Sequence, residues 1–190
     1  MLARSFFDDP IQIHMFPDEA RRLERCERMF RSLSRIHLAH DEVFVDENLR
    51  GASMWGPPGH WKTRGWAAAR EVPAMVAAIG RGGFGRRGMT LLNDLGKAEN
   101  RHAELAPTPH FYLAVLGTDP DEQGKGVGSG VISPVLDRAD ERGLGCYLES
   151  SKHSNVPYYE RQGFTVLDDF TFRDGPTVWL MWRDPVPPEL

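Results

Sequence analysis

The sequence predicts a single domain of mixed α/β (α+β) class, with a central, mostly antiparallel twisted sheet flanked by helices. Its 190 residues suit one sizeable core, and no repeat or low-complexity segment marks a boundary, so 1–190 is expected to be one domain. Apolar residues recur at helical spacing in some segments and form short runs bounded by Gly or Pro in others. One strand–helix–strand unit requires a parallel strand pair, whereas two hairpins require antiparallel pairs.

The first elements are a helix and a hairpin. An amphipathic helix is predicted over 18–38, after a proline and two acidic residues. Its apolar positions are Leu23, Cys26, Met29, Phe30 and Leu33. Residues 42–46 and 51–55 are predicted as two strands joined by a turn at 46–48, because apolar runs flank a polar connection.

The middle of the chain contains two predicted helices and a strand. The helices cover 67–79 and 88–103, and a glycine-rich break at 80–83 separates them. Residues 111–116 form an almost continuous apolar run, which predicts a strand that is buried on both faces.

The C-terminal half supplies the strand–helix–strand unit and a second hairpin. A helix at 127–142 connects the strand at 111–116 to a second apolar strand at 145–148. Pro134 lies within this helix and should bend it, although the apolar spacing around it predicts that the helix continues. Strands at 164–172 and 177–183 flank an Asp-Gly pair, which favours a hairpin turn.

Composition excludes several classes of partner. A net charge of −4 lacks the basic excess of a nucleic-acid-binding surface, and no apolar stretch is long enough to span a bilayer. The N-terminus has no signal-peptide pattern, and two cysteines cannot build a disulfide framework. We therefore expect a cytoplasmic protein with no nucleic-acid or membrane partner, in which Cys146 is a buried core residue rather than a nucleophile.

The most informative segment is a glycine-rich stretch at 118–130, between the predicted strand and the predicted helix. Glycines allow a ligand to approach the backbone closely, and the first amides of a helix have no intrahelical partners. Together with the positive end of the helix dipole they form an anion site suited to a pyrophosphate, near which Lys125 adds a charge. Neither the P-loop pattern nor the dinucleotide G-x-G-x-x-G pattern fits the glycine spacing.

The spacing does fit Q-x-x-G-x-G through Gln123, Gly126 and Gly128, and it resembles the acyl-CoA loop of the GNAT superfamily. A second segment, 149–164, contains an asparagine followed by Tyr-Glu-x-x-Gly-Phe and resembles the helix that follows the fifth strand of that superfamily. The two segments occur in the expected order, with a helix and a strand between them.

The resemblance covers nearly the whole chain and is closest to the group that contains the puromycin N-acetyltransferases. Stretches 51–59, 110–113 and 175–181 support this closer likeness. The family usually has a first strand ahead of the helix that Leu2 to Asp8 resembles, and this strand is not found in the sequence. Either the start site is misassigned or the sheet lacks the usual first strand.

The resemblance implies acetyl-CoA as cosubstrate and assigns its binding residues. They are Leu116, Gly117, Thr118, Gln123, Gly124, Lys125, Gly126, Val127, Gly128, Ser129, Asn155 and Tyr159. Backbone amides at 116–118 would stabilise the oxyanion, and the pantetheine arm would pair with the same strand edge. No histidine pair has metal-ligand spacing, so no metal site is expected.

The same resemblance suggests catalytic roles. Tyr159 matches the general acid that protonates the leaving thiolate, or else packs on the cofactor. Glu149 is the candidate base for the incoming ammonium, and the alternative is a cap or salt-bridge glutamate. His110 competes as base, because its reference pKa of about 6.5 suits neutral pH. His110, Tyr112 and Trp55 are candidates for lining the amine pocket, and core packing is the alternative for Trp55.

Three functions are compatible with these features. The first is an N-acetyltransferase that acts on the primary amine of a small molecule by direct attack through a tetrahedral intermediate. The second is a non-catalytic module that binds acyl-CoA as a sensor or scaffold, although retention of Tyr159 favours catalysis. The third is a protein or peptide N-acetyltransferase, which needs a more open cleft. The sequence leaves a homodimer open.

Overall fold

The computed structural model describes residues 1–62, 69–71, 73 and 86–187. The helices are α1 (Leu2–Ser5), α2 (Pro10–Met15), α3 (Glu19–Leu38), α4 (Arg86–Leu105), α5 (Val127–Glu141) and α6 (Val156–Arg161). The strands are β1 (Val43–Val45), β2 (Gly51–Gly56), β3 (Phe111–Thr118), β4 (Cys146–Ser150), β5 (Thr165–Thr171) and β6 (Thr177–Arg183). The predicted helix at 67–79 lies mostly outside the described residues.

The described strands form one mixed sheet in the order β1-β2-β3-β4-β6-β5, and its first strand along the chain is β1. The strands β3 and β4 are parallel, as the strand–helix–strand unit predicts, and the other neighbouring pairs are antiparallel. The predicted fold class is confirmed. Pro134 lies inside α5, which continues through it.

The parallel strands β3 and β4 diverge soon after they begin. Their ladder runs from the pair Phe111–Cys146 to the pair Leu113–Leu148. Beyond this point the register pairs β3 with β2 and β4 with β6. We call the opening after Leu113 and Leu148 the strand split. It leaves one edge of each strand available to another backbone.

A β-bulge changes the direction of the β3 side chains near the strand split. Met54 pairs with Val115 and Trp55 pairs with Leu113, so Ala114 is the extra residue. Leu113 packs in the cluster that contains the α5 residues, whereas Val115 packs with residues of α1 and α3. The bulge therefore turns the end of β3 over, so that Leu116 and Thr118 face the α5 side.

The prediction that β3 is buried on both faces is wrong. Buried residues alternate with half-buried ones along the whole strand. Tyr112 and Leu116 are among the half-buried residues. The half-buried Tyr112 packs against the rings of His102 and Tyr147, and Leu116 packs beside the core cluster that contains the α5 residues.

A buried ion pair joins α5 to the C-terminal strand. Both Nη atoms of Arg183 donate to the Asp140 carboxylate, at 2.7 and 2.6 Å, and the Val186 amide donates to the same carboxylate at 2.8 Å. Arg183 is only 7% exposed, and its hydrogen bonds hold the pKa of Asp140 below its usual value.

Asp140→Asn is expected to lower the free energy of unfolding by about 3 kcal/mol, because it leaves a buried guanidinium without its counter-charge. Urea unfolding at pH 7 measures this loss. Since the folded-state pKa of Asp140 is depressed, the stabilisation is present above the unfolded carboxyl pKa and is lost as the pH falls below it. Glu24→Gln, in an exposed pair with Arg28, should cost less than about 1 kcal/mol. Equal losses in the two variants would contradict the prediction.

Candidate active site

The junction between β3 and α5 presents unpaired backbone amides. Gly124 and Gly126 adopt positive φ angles of 77° and 83°, and Gly126 occupies the N-cap position of α5. The first intrahelical bond of α5 goes from the Gly130 amide to the Gly126 carbonyl, at 3.0 Å. The amides of 127–129 therefore precede the hydrogen-bonded ladder, at the positive end of the helix dipole.

These residues line a cavity of about 550 Å³. Of the predicted acetyl-CoA-binding residues, the cavity is lined by Leu116, Thr118, Gln123, Gly124, Gly126, Val127, Gly128, Ser129, Asn155 and Tyr159. The Gln123 side chain donates back to the Thr118 carbonyl at 3.4 Å, which closes the loop over the end of β3. The structure thus brings most of the predicted set to one concave surface.

Gly117 and Lys125 belong to the predicted set but do not line the cavity. The bulge turns Gly117 toward α1, where an added Cβ would lie 2.6 Å from the Leu2 side chain. The Lys125 ammonium donates to the Asp121 carbonyl at 3.0 Å and pairs with Glu122 at 3.2 Å.

The N-terminal helices contribute cavity residues that the sequence did not reveal. Ser5, Phe6 and Asp9 line the cavity. Asp9 accepts from the amides that begin α2 and from the Ser151 hydroxyl, so one carboxylate joins the N-terminal segment to the residue after β4. The further lining residues missed from sequence are Lys152, Ser154, Tyr158, Arg161 and Gln162. The pair Asp9-Pro10 indicates a helix start in the sequence. Its position across the strand split cannot be predicted from the sequence.

Tyr159 is held at the cavity by α6. Its ring packs edge-on against Tyr158 and Phe164, with centroid distances of 5.2 and 6.1 Å. Burial raises the pKa of Tyr159 above its usual value, so the phenol is protonated at neutral pH and is able to donate a proton. Asn155 occupies the N-cap position of α6 without a side-chain capping bond, and it lines the cavity.

Glu149 is the first residue of β4 beyond the strand split. Its Oε2 accepts from the Tyr112 hydroxyl at 3.0 Å, and its Oε1 accepts from the Tyr147 hydroxyl at 3.4 Å. Burial raises the pKa of Glu149 to about 7, although the two hydroxyl bonds act in the opposite direction. A half-buried carboxylate with this pKa can take a proton near neutral pH. Glu149 is not one of the residues that line the cavity.

Two predicted substrate residues lie in the core. His110 is 1% exposed, and its two ring nitrogens bond to the Pro107 carbonyl and to His102. Trp55 is fully buried; its indole N–H donates to Ser53, and its carbonyl bonds to His37. His110, Trp55 and Tyr112 are all absent from the cavity lining, and the Tyr112 hydroxyl donates to Glu149.

A mixed sheet opens between two parallel strands beside a glycine-rich helix start and a tyrosine, and this arrangement fits an acyltransferase. Residues 88–164, which include both sequence motifs, match the model of the acetyltransferase (GNAT) family. This region is less than half of the chain, and over it the protein is similar to the GNAT superfamily, whose members use acetyl-CoA.

Relatives and solved structures give further similarities. An uncharacterized N-acetyltransferase of Schizosaccharomyces pombe is 28% identical, over 97% of this chain and 77% of its own length. The structure of a histone acetyltransferase HPA2 and related acetyltransferase from Corynebacterium glutamicum has a TM-score of 0.60 at 21% identity, and covers 100% of this chain and 90% of its own. Arylalkylamine N-acetyltransferase 2 from Aedes aegypti has a TM-score of 0.62 at 14% identity, and covers 97% and 91%. At these identities the two structures show a shared fold.

Two features are absent from the described residues. None of the described helices has the length and apolar character needed to cross a membrane. In the same part of the chain, no three His, Cys, Asp or Glu side chains are grouped so as to hold a metal ion.

Proposed function

We propose that the protein binds acetyl-CoA in the cavity at the β3–α5 junction and transfers the acetyl group to the primary amine of a small molecule. The main supporting observation is that the unpaired amides of 127–129 and the Tyr159 side chain share one cavity next to the strand split. The amides fit the pyrophosphate, because they supply several donors and a positive dipole end to a dianionic group. The bound thioester supplies the acetyl group.

The residues at the strand split have separate roles in the reaction. The Glu149 carboxylate takes a proton from the incoming ammonium, since only the neutral amine attacks the thioester carbonyl. Backbone amides near the end of β3 face the oxygen on which charge develops, and the unpaired strand edge pairs with the pantetheine amides. As the carbon–sulfur bond breaks, Tyr159 donates its proton to the leaving thiolate, and the proton that the new amide nitrogen loses restores the phenol. Because the ring nitrogens of His110 are already bonded, we favour Glu149 as base.

Several finer assignments stay predictions. Within the superfamily we place the chain near the puromycin N-acetyltransferases, on the three stretches that resemble them. We also propose a single-domain cytoplasmic protein, consistent with its free thiols: burial raises the pKa of Cys26 to about 11 and that of Cys146 to about 12, so neither is a reactive thiolate. The sequence leaves dimerisation open.

A thiol-release assay with acetyl-CoA tests the proposal against its two alternatives. Small primary amines and peptides with free N-termini or lysines form the acceptor panel, and calorimetry measures CoA binding separately. Release with small amines supports the proposal, and release only with peptides favours the protein acetyltransferase. Tight CoA binding without release for any acceptor favours the sensor, and no affinity for CoA or acyl-CoA would overturn the assignment of the cavity.

Gly126→Ala is expected to weaken acetyl-CoA binding at least tenfold, because a Cβ at φ 83° strains the loop that aims the α5 amides. Gly143→Ala is the matched control, since Gly143 follows the same helix, has φ 61° and likewise has open space around an added Cβ. Both variants should lose about 1 kcal/mol of stability, and only Gly126→Ala should lose CoA affinity in calorimetry. Equal CoA affinity in the two variants would argue against the loop as the binding site.

A further inference from the structure

The Glu149 carboxylate is held by two tyrosines that are neighbours across the β3–β4 ladder. Tyr112 and Tyr147 are paired in the parallel register, and Glu149 follows Tyr147 by two residues, on the same face of β4. Each tyrosine donates to a different carboxylate oxygen, at 3.0 Å from Tyr112 and 3.4 Å from Tyr147. This arrangement fixes both the rotation and the position of the Glu149 carboxylate.

The Tyr147 ring is in turn held by His102 of α4. The two rings stack with a centroid distance of 3.8 Å and an interplanar angle of 18°, and Trp61 also packs against His102, at 4.0 Å. Tyr147 is fully buried and His102 is 2% exposed. Neither ring can tilt without disturbing its neighbours, so the position of the Tyr147 hydroxyl depends on His102.

Hydrogen bonding defines the tautomers of the two histidines. The Pro107 carbonyl only accepts, so the nitrogen of His110 that contacts it at 2.8 Å, Nδ1, carries the hydrogen. The His110 Nε2 is then an acceptor, and it receives the His102 Nε2–H at 2.9 Å. Burial lowers the pKa of His102 to about 3 and also lowers that of His110, so the pair is neutral at ordinary pH.

We propose that Tyr112 and Tyr147 are positioning residues that hold the Glu149 carboxylate in the orientation needed to deprotonate the amine, and that the His102 ring stacked on Tyr147 holds Tyr147 in place. This inference rests on the proposed function, in which Glu149 is the base. Neither histidine needs to touch a substrate for this role, which accounts for the burial of His110.

The charged surroundings of Glu149 are simple in the described part of the chain. The hydroxyls of Tyr112 and Tyr147 face it from β3 and β4, and the neutral His102 and His110 lie behind Tyr147. Arg101 of α4 acts on Tyr147 but is paired with Glu104 and with Asp168 of β5. Removal of a tyrosine hydroxyl should therefore change the proton affinity of Glu149 directly.

The test is the pH profile of kcat/KM in Tyr112→Phe, Tyr147→Phe and the double variant. A hydroxyl that donates to a carboxylate favours its charged form, so its loss moves the acid limb to higher pH. We expect a shift of about one pH unit for Tyr112→Phe, less for the longer Tyr147 bond, and the largest shift in the double variant. The KM for acetyl-CoA and the melting temperature should change little, because the rings remain.

A second pair of variants tests whether the His102 ring holds Tyr147 in place. His102→Phe and His102→Leu both remove the bond to His110, but only Phe keeps a flat ring against Tyr147. In His102→Phe, we expect the acid limb of the pH profile to stay near its wild-type position. In His102→Leu, we expect it to move to higher pH, as in Tyr147→Phe. Equal shifts in the two variants would contradict the proposal that the His102 ring holds Tyr147 in place.

Glu149→Gln separates failure of this inference from failure of the proposed function. If Glu149→Gln removes the acid limb while both Tyr→Phe variants keep it at the wild-type pH, the positioning role is wrong and the base assignment stands. If Glu149→Gln retains both the limb and the activity, the base assignment is wrong, and the inference fails with it.

Discussion

Glu149→Gln is expected to lower kcat/KM by about 10²–10⁴-fold above pH 7, the range typical of a lost general base. Burial places the pKa of the Glu149 carboxyl near 7, so the wild-type rate should rise as the pH passes through 7 and the carboxylate forms. Gln does not titrate, so the profile of the variant should lack this acid limb. Steady-state kinetics from pH 5.5 to 9.5 with one primary amine measures both effects.

The loss in Glu149→Gln should shrink at alkaline pH. A primary amine has a pKa of about 10, so more of it is already neutral as the pH rises, and the base becomes less necessary. Glu160→Gln is the control, because Glu160 is an exposed glutamate next to Tyr159 and should leave the profile unchanged. A loss that is constant over the whole pH range would mean that Glu149 acts only through structure.

The motifs made the proposed cofactor side of the site predictable. Glycine positions and a helix start are local features, because backbone conformation at Gly126 and the open amides after it depend on neighbouring residues. The sequence therefore identified most of the residues that line the cavity, together with Tyr159. It also predicted that β3 and β4 are parallel, since a strand–helix–strand unit requires a parallel pair.

The remaining features depend on register and on distant packing. A bulge at Ala114 decides which β3 residues reach the cavity, and nothing in an apolar run marks it. Asp9 lines the cavity because it reaches Ser151, which lies 142 residues further along the chain. The role of His102 depends on stacking against Tyr147, a contact between a helix and a strand that no local pattern encodes.

The acceptor side of the site illustrates the same limit. His110 and Tyr112 share one face of a strand in sequence, which predicts a common role. In the structure His110 is closed off by the Pro107 carbonyl and His102, whereas Tyr112 reaches Glu149. Two residues on the same predicted strand face therefore have different environments. His110 is buried, whereas Tyr112 contacts the candidate base, because the strand split begins just beyond them.

Tyr159→Phe is expected to lower kcat about 10²-fold, at the low end of general-acid effects, because a thiolate is already a good leaving group. The phenol is protonated at neutral pH, since burial raises its pKa, and the variant removes the proton that it would donate. The ring and its packing against Tyr158 and Phe164 remain, so the KM for acetyl-CoA should change little. Steady-state kinetics with saturating amine separates the two parameters.

Tyr158→Phe is the matched control, because it makes the same chemical change one residue earlier on the same helix. Tyr158 also lines the cavity, but its hydroxyl lies 3.1 Å from where a Cβ on Gly128 would be, beside the loop rather than at the strand split. We therefore expect Tyr158→Phe to raise the KM for acetyl-CoA while kcat stays near wild type. Equal losses of kcat in the two variants, or a pure KM effect in Tyr159→Phe, would reduce Tyr159 to a packing residue, because a proton donor acts on the chemical step and not on binding.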